Sequence, residues 1–210
     1  MRSGLMEDLL RKNAAKVDVE LQSDQLAQLI KYAELVLKWN RITNLVSCSS
    51  VAEFVTNHIV DCLAAVPFIE GPRIVDVGTG AGLPGIVISI LRPDCEMTLV
   101  EASQRKARFL QQAIIELGLG QITIVAQRIE QWRAPELTHS IVCRGYSSIQ
   151  KFFDDTRALH HAKCRLVALK GVISDGEISA LDLAGGTISV QPLTVPGWDH
   201  RHLAVVHCAN

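Results

Sequence analysis

The sequence predicts an α/β fold, a mostly parallel and doubly wound sheet preceded by a helical extension. Three observations predict it. After Pro72, short β-branched runs alternate with helix-length segments, a rhythm that implies parallel strands covered on both faces by helices. The first of those runs ends in glycines at 78, 80 and 82. Before Pro72 the apolar residues recur at helical spacing.

Size and charge narrow the function classes. The chain has 210 residues, enough for one domain with an appendage. Its 48% hydrophobic and 20% charged composition is that of a core-forming protein. A net charge of −1 means that no global positive field advertises a nucleic-acid partner, so any basic patch is local. Glu7 and Asp8 interrupt the apolar N-terminus, which therefore reads as neither signal peptide nor membrane span. A cytoplasmic protein without a membrane partner is expected, and nothing demands more than a monomer. Six cysteines, at 48, 62, 95, 143, 164 and 208, lack C-x-x-C spacing and several sit in apolar runs as small hydrophobes. His160, His161 and Cys164, or His200, His202 and Cys208, lack a recognised ligand spacing, so no metal is expected.

The elements follow in order. From Ser23, a plain N-cap residue, Leu26, Leu29, Ile30, Ala33, Val36 and Leu37 form a helical stripe. Ser50-Val51-Ala52-Glu53 fits a capping box and opens a second helix, with Val55, Ile59, Cys62, Leu63 and Val66 inward and Pro67 closing it. Residues 1–70 thus form a helical extension, and 71–210 the α/β unit. Arg73 to Val77 is the first strand, and Pro84 suits the first turn of the next helix. Strands at 97–100, 122–125, 141–143 and 166–169 follow, separated by a helix from Gln104 to Leu117, stopped by Gly118, and another from Ser147 to about His160. After a short helix at 174–183, Thr187 to Val195 and His202 to Cys208 form a final antiparallel pair joined through Pro196-Gly197-Trp198, making seven strands.

The glycine turn is the place for a cofactor, because ligands bind at the carboxyl ends of parallel strands where strand order reverses. Asp76-x-Gly78-x-Gly80-x-Gly82 is not the dinucleotide fingerprint, which needs a glycine where Leu83 stands. Asp76 itself suits a cationic or hydroxyl-rich ligand better than a pyrophosphate. No Gly-Lys-Ser/Thr follows, so a Walker A loop is absent. Glu101 closes the second strand, where a carboxylate accepts from ribose hydroxyls; a helix-start charge is its plainer reading. Together these point to S-adenosylmethionine.

KWNRITNL at 38–45, HIVDC at 58–62, DVGTGAGLPG at 76–85, ALKG at 168–171 and RHLAVV at 201–206 carry a more specific signal. With these segments the chain resembles the ribosomal small-subunit methyltransferase G family, also called glucose-inhibited division protein B, from about Leu21 to Cys208. The resemblance implies a class I S-adenosylmethionine-dependent methyltransferase sheet, mostly parallel with the last strand antiparallel, behind N-terminal helices. It implies transfer of a methyl group to N7 of one guanine in 16S ribosomal RNA of the small subunit. Carried over by position, Gly78 and Leu83 line the cofactor site, Ile129 and Glu130 flank the adenine, and Arg144 faces cofactor and substrate as the candidate catalytic residue. The chain departs from the family pattern at Glu101, where aspartate is common, at Gly145-Tyr146-Ser147, and at Asp199-His200 before Arg201.

Guanine N7 carries a lone pair and no proton, so the reaction needs positioning rather than a general base. RNA contact falls to local residues. The candidates are Asn40, Arg41 and Asn44 with Lys38 at the end of the first helix, Arg105, Lys106 and Arg108 at the start of another, and Arg128, Arg144, Lys170 and Arg201 at strand ends. His58 and Asp61 share a helical face and either pair, orient something at the substrate mouth, or dock the helix. A methyltransferase for a small molecule or protein, and a non-catalytic cofactor-binding assembly protein, are the competing readings.

Overall fold

A computed structural model describes residues 2–183 and 186–208. Among these described residues seven strands form one sheet in the order β3-β2-β1-β4-β5-β7-β6. They are β1 (Arg73–Val77), β2 (Glu96–Val100), β3 (Ile122–Val125), β4 (Ser140–Arg144), β5 (Arg165–Lys170), β6 (Gly186–Pro192) and β7 (His202–Cys208). The pairs among β1 to β5 are parallel, and β7 runs antiparallel to both β5 and β6, as expected. Strand order reverses between β1 and β4, which makes the crevice at their carboxyl ends the candidate ligand site, since open sheets of this kind bind ligands at such a switch point.

Alternation along each strand divides the apolar residues between two layers. Ile74, Met97, Leu99, Val142, Val167, Leu169 and Leu203 belong to one cluster, and Val75, Val77, Val100, Ile141, Cys143, Leu166 and Ala168 to the other. The first layer is covered by α5 (Gly85–Leu91), α6 (Gln104–Leu117) and the N-terminal helices. The second is covered by α7 (Ile149–Asp155) and α8 (Asp175–Leu183). The helices α1 (Arg2–Ala14) and α2 (Ser23–Asn40) share the first cluster with the sheet, through Met6, Leu10, Leu26, Leu29 and Val36.

Some boundaries differ from the expected ones for local reasons. Gln22, not Ser23, caps α2, and Gln25 returns its side-chain oxygen to the Gln22 N–H. Ser50 accepts from the Glu53 N–H at 3.1 Å, but the Glu53 carboxylate turns to the backbone and hydroxyl of Ser49 instead of closing the box. Pro67 does not end the helix abruptly, since a 3-10 turn, Val66–Phe68, carries the chain on. The segment after β4 is shorter than expected, because Ser148 caps α7 and Thr156 breaks it before a 3-10 turn at Arg157–Leu159. β6 ends at Pro192 rather than at Val195.

The stretch Val51–Phe68 is long and apolar enough to cross a membrane, yet Phe54, Val55, Ile59, Val60, Cys62 and Leu63 are packed in the protein core. Its middle, Val55–Val60, winds as a π-helix between α3 (Val51–Phe54) and α4 (Asp61–Ala65). Such widened turns re-aim side chains and are frequent at functional sites.

α2 runs antiparallel to α6. Gln28 donates to the Leu117 carbonyl at 3.2 Å, while Trp39 meets Phe109 edge-on at 5.7 Å. From this helix the fully buried Tyr32 donates its hydroxyl to the Ala81 carbonyl, 2.8 Å away in the glycine turn. Tyr32→Phe leaves that buried carbonyl without its partner. It is expected to lower the unfolding free energy by about 1 kcal/mol, read as an earlier midpoint in urea denaturation with an unchanged slope.

Candidate cofactor and substrate site

The chain leaves β1 at Asp76 and Val77 and turns sharply. Asp76 is fully buried, and its Oδ2 accepts from the Thr79 hydroxyl at 2.5 Å and from the Gly85 N–H at 2.7 Å. One carboxylate oxygen therefore ties the start of the turn to the first residue of α5. Its Oδ1 is buried without a partner among the described residues. Burial raises the Asp76 pKa to about 7, even though both hydrogen bonds and nearby Arg144 pull it down.

Glu101 braces the turn from the next strand. Its Oε2 accepts from the Gly80 N–H at 2.9 Å and its Oε1 from the Ser103 N–H at 2.8 Å. The helix-start reading of Glu101 is thus present in the structure, and the same carboxylate sits at the strand end where a ribose is bound in this layout. Gly78 has φ +67°, a left-handed conformation, and among the described residues a Cβ there would find only Tyr146 within 4 Å, at 3.9 Å. Gly78 is exposed, whereas Gly82 and Leu83 are buried. A Cβ on Gly82 would fall 2.4 Å from Ile86 Cδ1, and Leu83 is part of the core cluster. The glycines thus divide between an open side at 78 and 80 and a packed side at 82.

Beside the open side lies a cleft of about 190 Å³ lined by Gly78, Glu101, Ala102, Arg128, Ile129 and Tyr146, among others. Ile129 is buried on its floor, and Glu130 and Arg128 are exposed at its rim. Tyr146, which sequence reasoning did not single out, donates its hydroxyl to Asp155 Oδ2 at 2.7 Å and so holds its ring in the cleft wall. Its only signal was the departure from the family pattern after Arg144. An orphaned carboxylate oxygen beneath the turn, a side-chain-free approach at Gly78 and an apolar floor at Ile129 suit an adenosine-bearing, positively charged cofactor. A larger cleft, of about 420 Å³, opens toward the amino ends of β1 and β2, away from these groups.

Arg144 closes β4 and reaches the helical segment before the sheet. Its Nη1 donates to His58 Nδ1 at 2.8 Å, lies 3.4 Å from the Asn57 carbonyl and sits 3.6 Å from Asp61 Oδ2. His58 Nε2 is 3.1 Å from the Ser47 carbonyl and so carries the proton. Burial first, then the Arg144 charge, hold the His58 pKa below its ordinary value, so this histidine is neutral with both ring nitrogens engaged. Asp61 is fully buried and receives both Nε and Nη2 of Arg201 at 2.5 Å. His58 and Asp61 therefore do not pair with each other; Arg144 bridges them.

The structure sorts the other substrate candidates. Arg41 and Asn44 are exposed, as are Lys38, Arg105, Arg108 and Arg128. Asn40 instead staples its own loop, accepting from the Leu45 and Val46 N–H groups and donating to the Val46 carbonyl. Lys170, little exposed, is ion-paired to Glu177 at 3.0 Å, and Arg201 is held by Asp61. Neither presents a free charge. The two histidine-cysteine sets do not assemble as ligands. Among the described residues no cluster of three or more His, Cys, Asp or Glu has metal-holding geometry.

The family model for rRNA small subunit methyltransferase G, GidB, matches residues 25–204. The chain belongs to this family. Curated relatives carrying the name ribosomal RNA small subunit methyltransferase G include one from Nitrosomonas eutropha, 37% identical with 87% of each chain covered. Another, from Pseudomonas aeruginosa, is 36% identical over 96% of this chain and 95% of its own. Among solved structures, magnesium protoporphyrin IX methyltransferase from Synechocystis, solved with bound SAM, superposes with a TM-score of 0.61. It is 13% identical and covers 91% of this chain and 99% of its own. A SAM-dependent methyltransferase from Aquifex aeolicus gives 0.55 at 15% identity, over 75% and 93%. The fold of the family member is thus the class I methyltransferase fold.

The raised Asp76 pKa has a consequence for stability. The folded chain keeps this proton at pH values where the unfolded chain, with a pKa of about 4, has released it. The contribution is fully present below about pH 4 and is lost as pH rises through about 7. Asp76→Asn keeps an oxygen for Thr79 and Gly85 but does not titrate. The urea midpoint of the wild type, measured relative to this variant, is expected to fall between pH 5 and pH 8; a constant difference contradicts the assignment.

Proposed function

We propose that this chain transfers the methyl group of S-adenosylmethionine to N7 of a guanine in small-subunit 16S ribosomal RNA. The observation that carries the reading is the family membership over residues 25–204, joined to a glycine turn open at Gly78 above a buried acid. Gly78 and Gly80 offer backbone to the cofactor, Glu101 and Glu130 offer carboxylates to its hydroxyl and amino groups, and Ile129 offers an apolar floor. Gly82 and Leu83 shape the turn from beneath. Bound there, the cofactor supplies a methyl group on a positively charged sulfur.

The remaining work belongs to the protein. Guanine N7 has no proton to lose, so no side chain acts as a base. His58, neutral and bonded at both nitrogens, and Asp76, pinned by Thr79 and Gly85, are accordingly not free to do so. Positioning the base on axis supplies the rate, and effective molarities in well-oriented reactions reach roughly 10⁵ M or more. Arg144 ends β4 at the crevice and is held from the helical segment by His58 and Asp61. It is the residue to which we assign contact with cofactor and substrate. Arg41, Asn44, Arg105 and Arg128, all exposed, meet the RNA backbone, and the protein acts on the small subunit as a cytoplasmic monomer.

Incubation with methyl-labelled cofactor and small subunits lacking the modification, followed by cleavage at 7-methylguanine, tests the reading. Label in 16S RNA and scission at one guanine are expected. Label appearing only in another acceptor, or none, overturns it. Gly78→Arg forces a long side chain into a left-handed position at the cleft and is expected to abolish calorimetric binding of S-adenosylmethionine while the fold survives; unchanged affinity relocates the site.

A further inference from the structure

Trp198 is one of the few large apolar side chains left exposed, at 38%, and it is held rather than loose. The Arg201 guanidinium lies over its ring at 4.9 Å. That guanidinium is fixed in turn by its two bonds to the buried Asp61. The turn bearing the indole closes with the Trp198 N–H on the Val195 carbonyl at 3.1 Å. Gly197, at φ +86°, packs so tightly on the π-helical turn that a Cβ would fall 2.5 Å from Asn57 Oδ1. Asn57 is the residue whose carbonyl faces Arg144.

Location gives this rigid indole a meaning. β7 is antiparallel, and its first residue, His202, is in register with Lys170, the last residue of β5. The loop before β7 therefore lies at the carboxyl edge of the parallel strands, the same edge as the glycine turn. His202 Nδ1 bonds the Gly171 carbonyl, which places the 68%-exposed Val172 on the neighbouring loop. An aromatic ring fixed beside the catalytic crevice, with a neutralised cation on one side, fits the way single-stranded RNA is held, by bases stacked on aromatic faces.

We propose that Trp198 is a stacking platform for a base of the RNA strand adjoining the methylated guanine. The proposal rests on the RNA reading above. A rigid ring costs little conformational entropy on binding, and its contribution falls on substrate capture, leaving cofactor binding to the turn. The strand beside the target is thereby held at one base while the guanine reaches the crevice.

The test uses full-length Trp198→Ala and Trp198→Phe. With saturating cofactor, the alanine variant is expected to raise KM for small subunits by roughly tenfold, with kcat and the Kd for S-adenosylmethionine within about twofold, and phenylalanine to recover most of the loss. Titrating wild type with a short single-stranded oligoribonucleotide is expected to quench tryptophan fluorescence, with the quench lost in Trp198→Phe although Trp39 and Trp132 remain. A wild-type KM in the alanine variant overturns the proposal, as does a quench that persists in Trp198→Phe. Should the alanine variant fold poorly, the phenylalanine quench decides alone. Failure of the wild type to methylate any RNA sinks the functional reading instead, and the fluorescence titration, which needs no turnover, separates the two failures.

Discussion

The site depends on how a five-residue strand is made to release its chain into a tight turn without losing register. Two carboxylates accomplish this. Asp76 accepts from Thr79 and Gly85, at the two ends of the turn, and Glu101 accepts from Gly80 in its middle. The Asp76 carboxyl is fully buried, where a charge is costly, and the chain meets that cost with a raised pKa and two short hydrogen bonds. Tyr32 adds a third tie from a helix that precedes the sheet. With its backbone fixed this way, the turn leaves Gly78 facing the cleft, and a ligand bound at the proposed site need not first order the loop.

A second polar assembly lies across the crevice and links three distant stretches of chain. Arg144 from β4, Asp61 from the helical segment and Arg201 before β7 surround one buried carboxylate with two guanidiniums. A buried pair of this kind contributes little net stability, but removing one partner costs about 3–5 kcal/mol because the other is left unpaired. Its value here is geometric. The π-helical turn at Val55–Val60 brings Asn57, His58 and Asp61 together onto Arg144, and the loop bearing Gly197 packs on Asn57. The N-terminal helices thus brace the candidate site, through Tyr32 on one side of the turn and through His58 and Asp61 on the other.

Much of this was legible in the sequence, and what was not has a common cause. Strand and helix order, the antiparallel final pair and the glycine turn follow from periodicity and from Gly and Pro placement, which are local properties. The roles of Asp61 and Arg201 were not, because the two residues lie 140 positions apart and nothing in their spacing says that they meet. Lys170 and Arg201 looked like free strand-end cations, yet each found an acid partner, Glu177 and Asp61. Asn40 looked like a substrate contact but its amide is consumed by Leu45 and Val46. Helix caps differed more narrowly: Gln22 takes the cap position expected of Ser23, and Ser49 draws away the Glu53 carboxylate while Ser50 still caps the Glu53 N–H. The RNA specificity came from resemblance in short motifs, not from charge, since the net charge is only −1.

The central claim is that the turn between Asp76 and Gly85, together with the ends of β2 and β3, is where S-adenosylmethionine binds. Amide hydrogen exchange with and without saturating cofactor measures this most directly. Added protection confined to residues 78–80, 101–103 and 128–130 is the predicted result. Saturable binding that leaves those amides unchanged, or that protects the cleft at the amino ends of β1 and β2 instead, would contradict it.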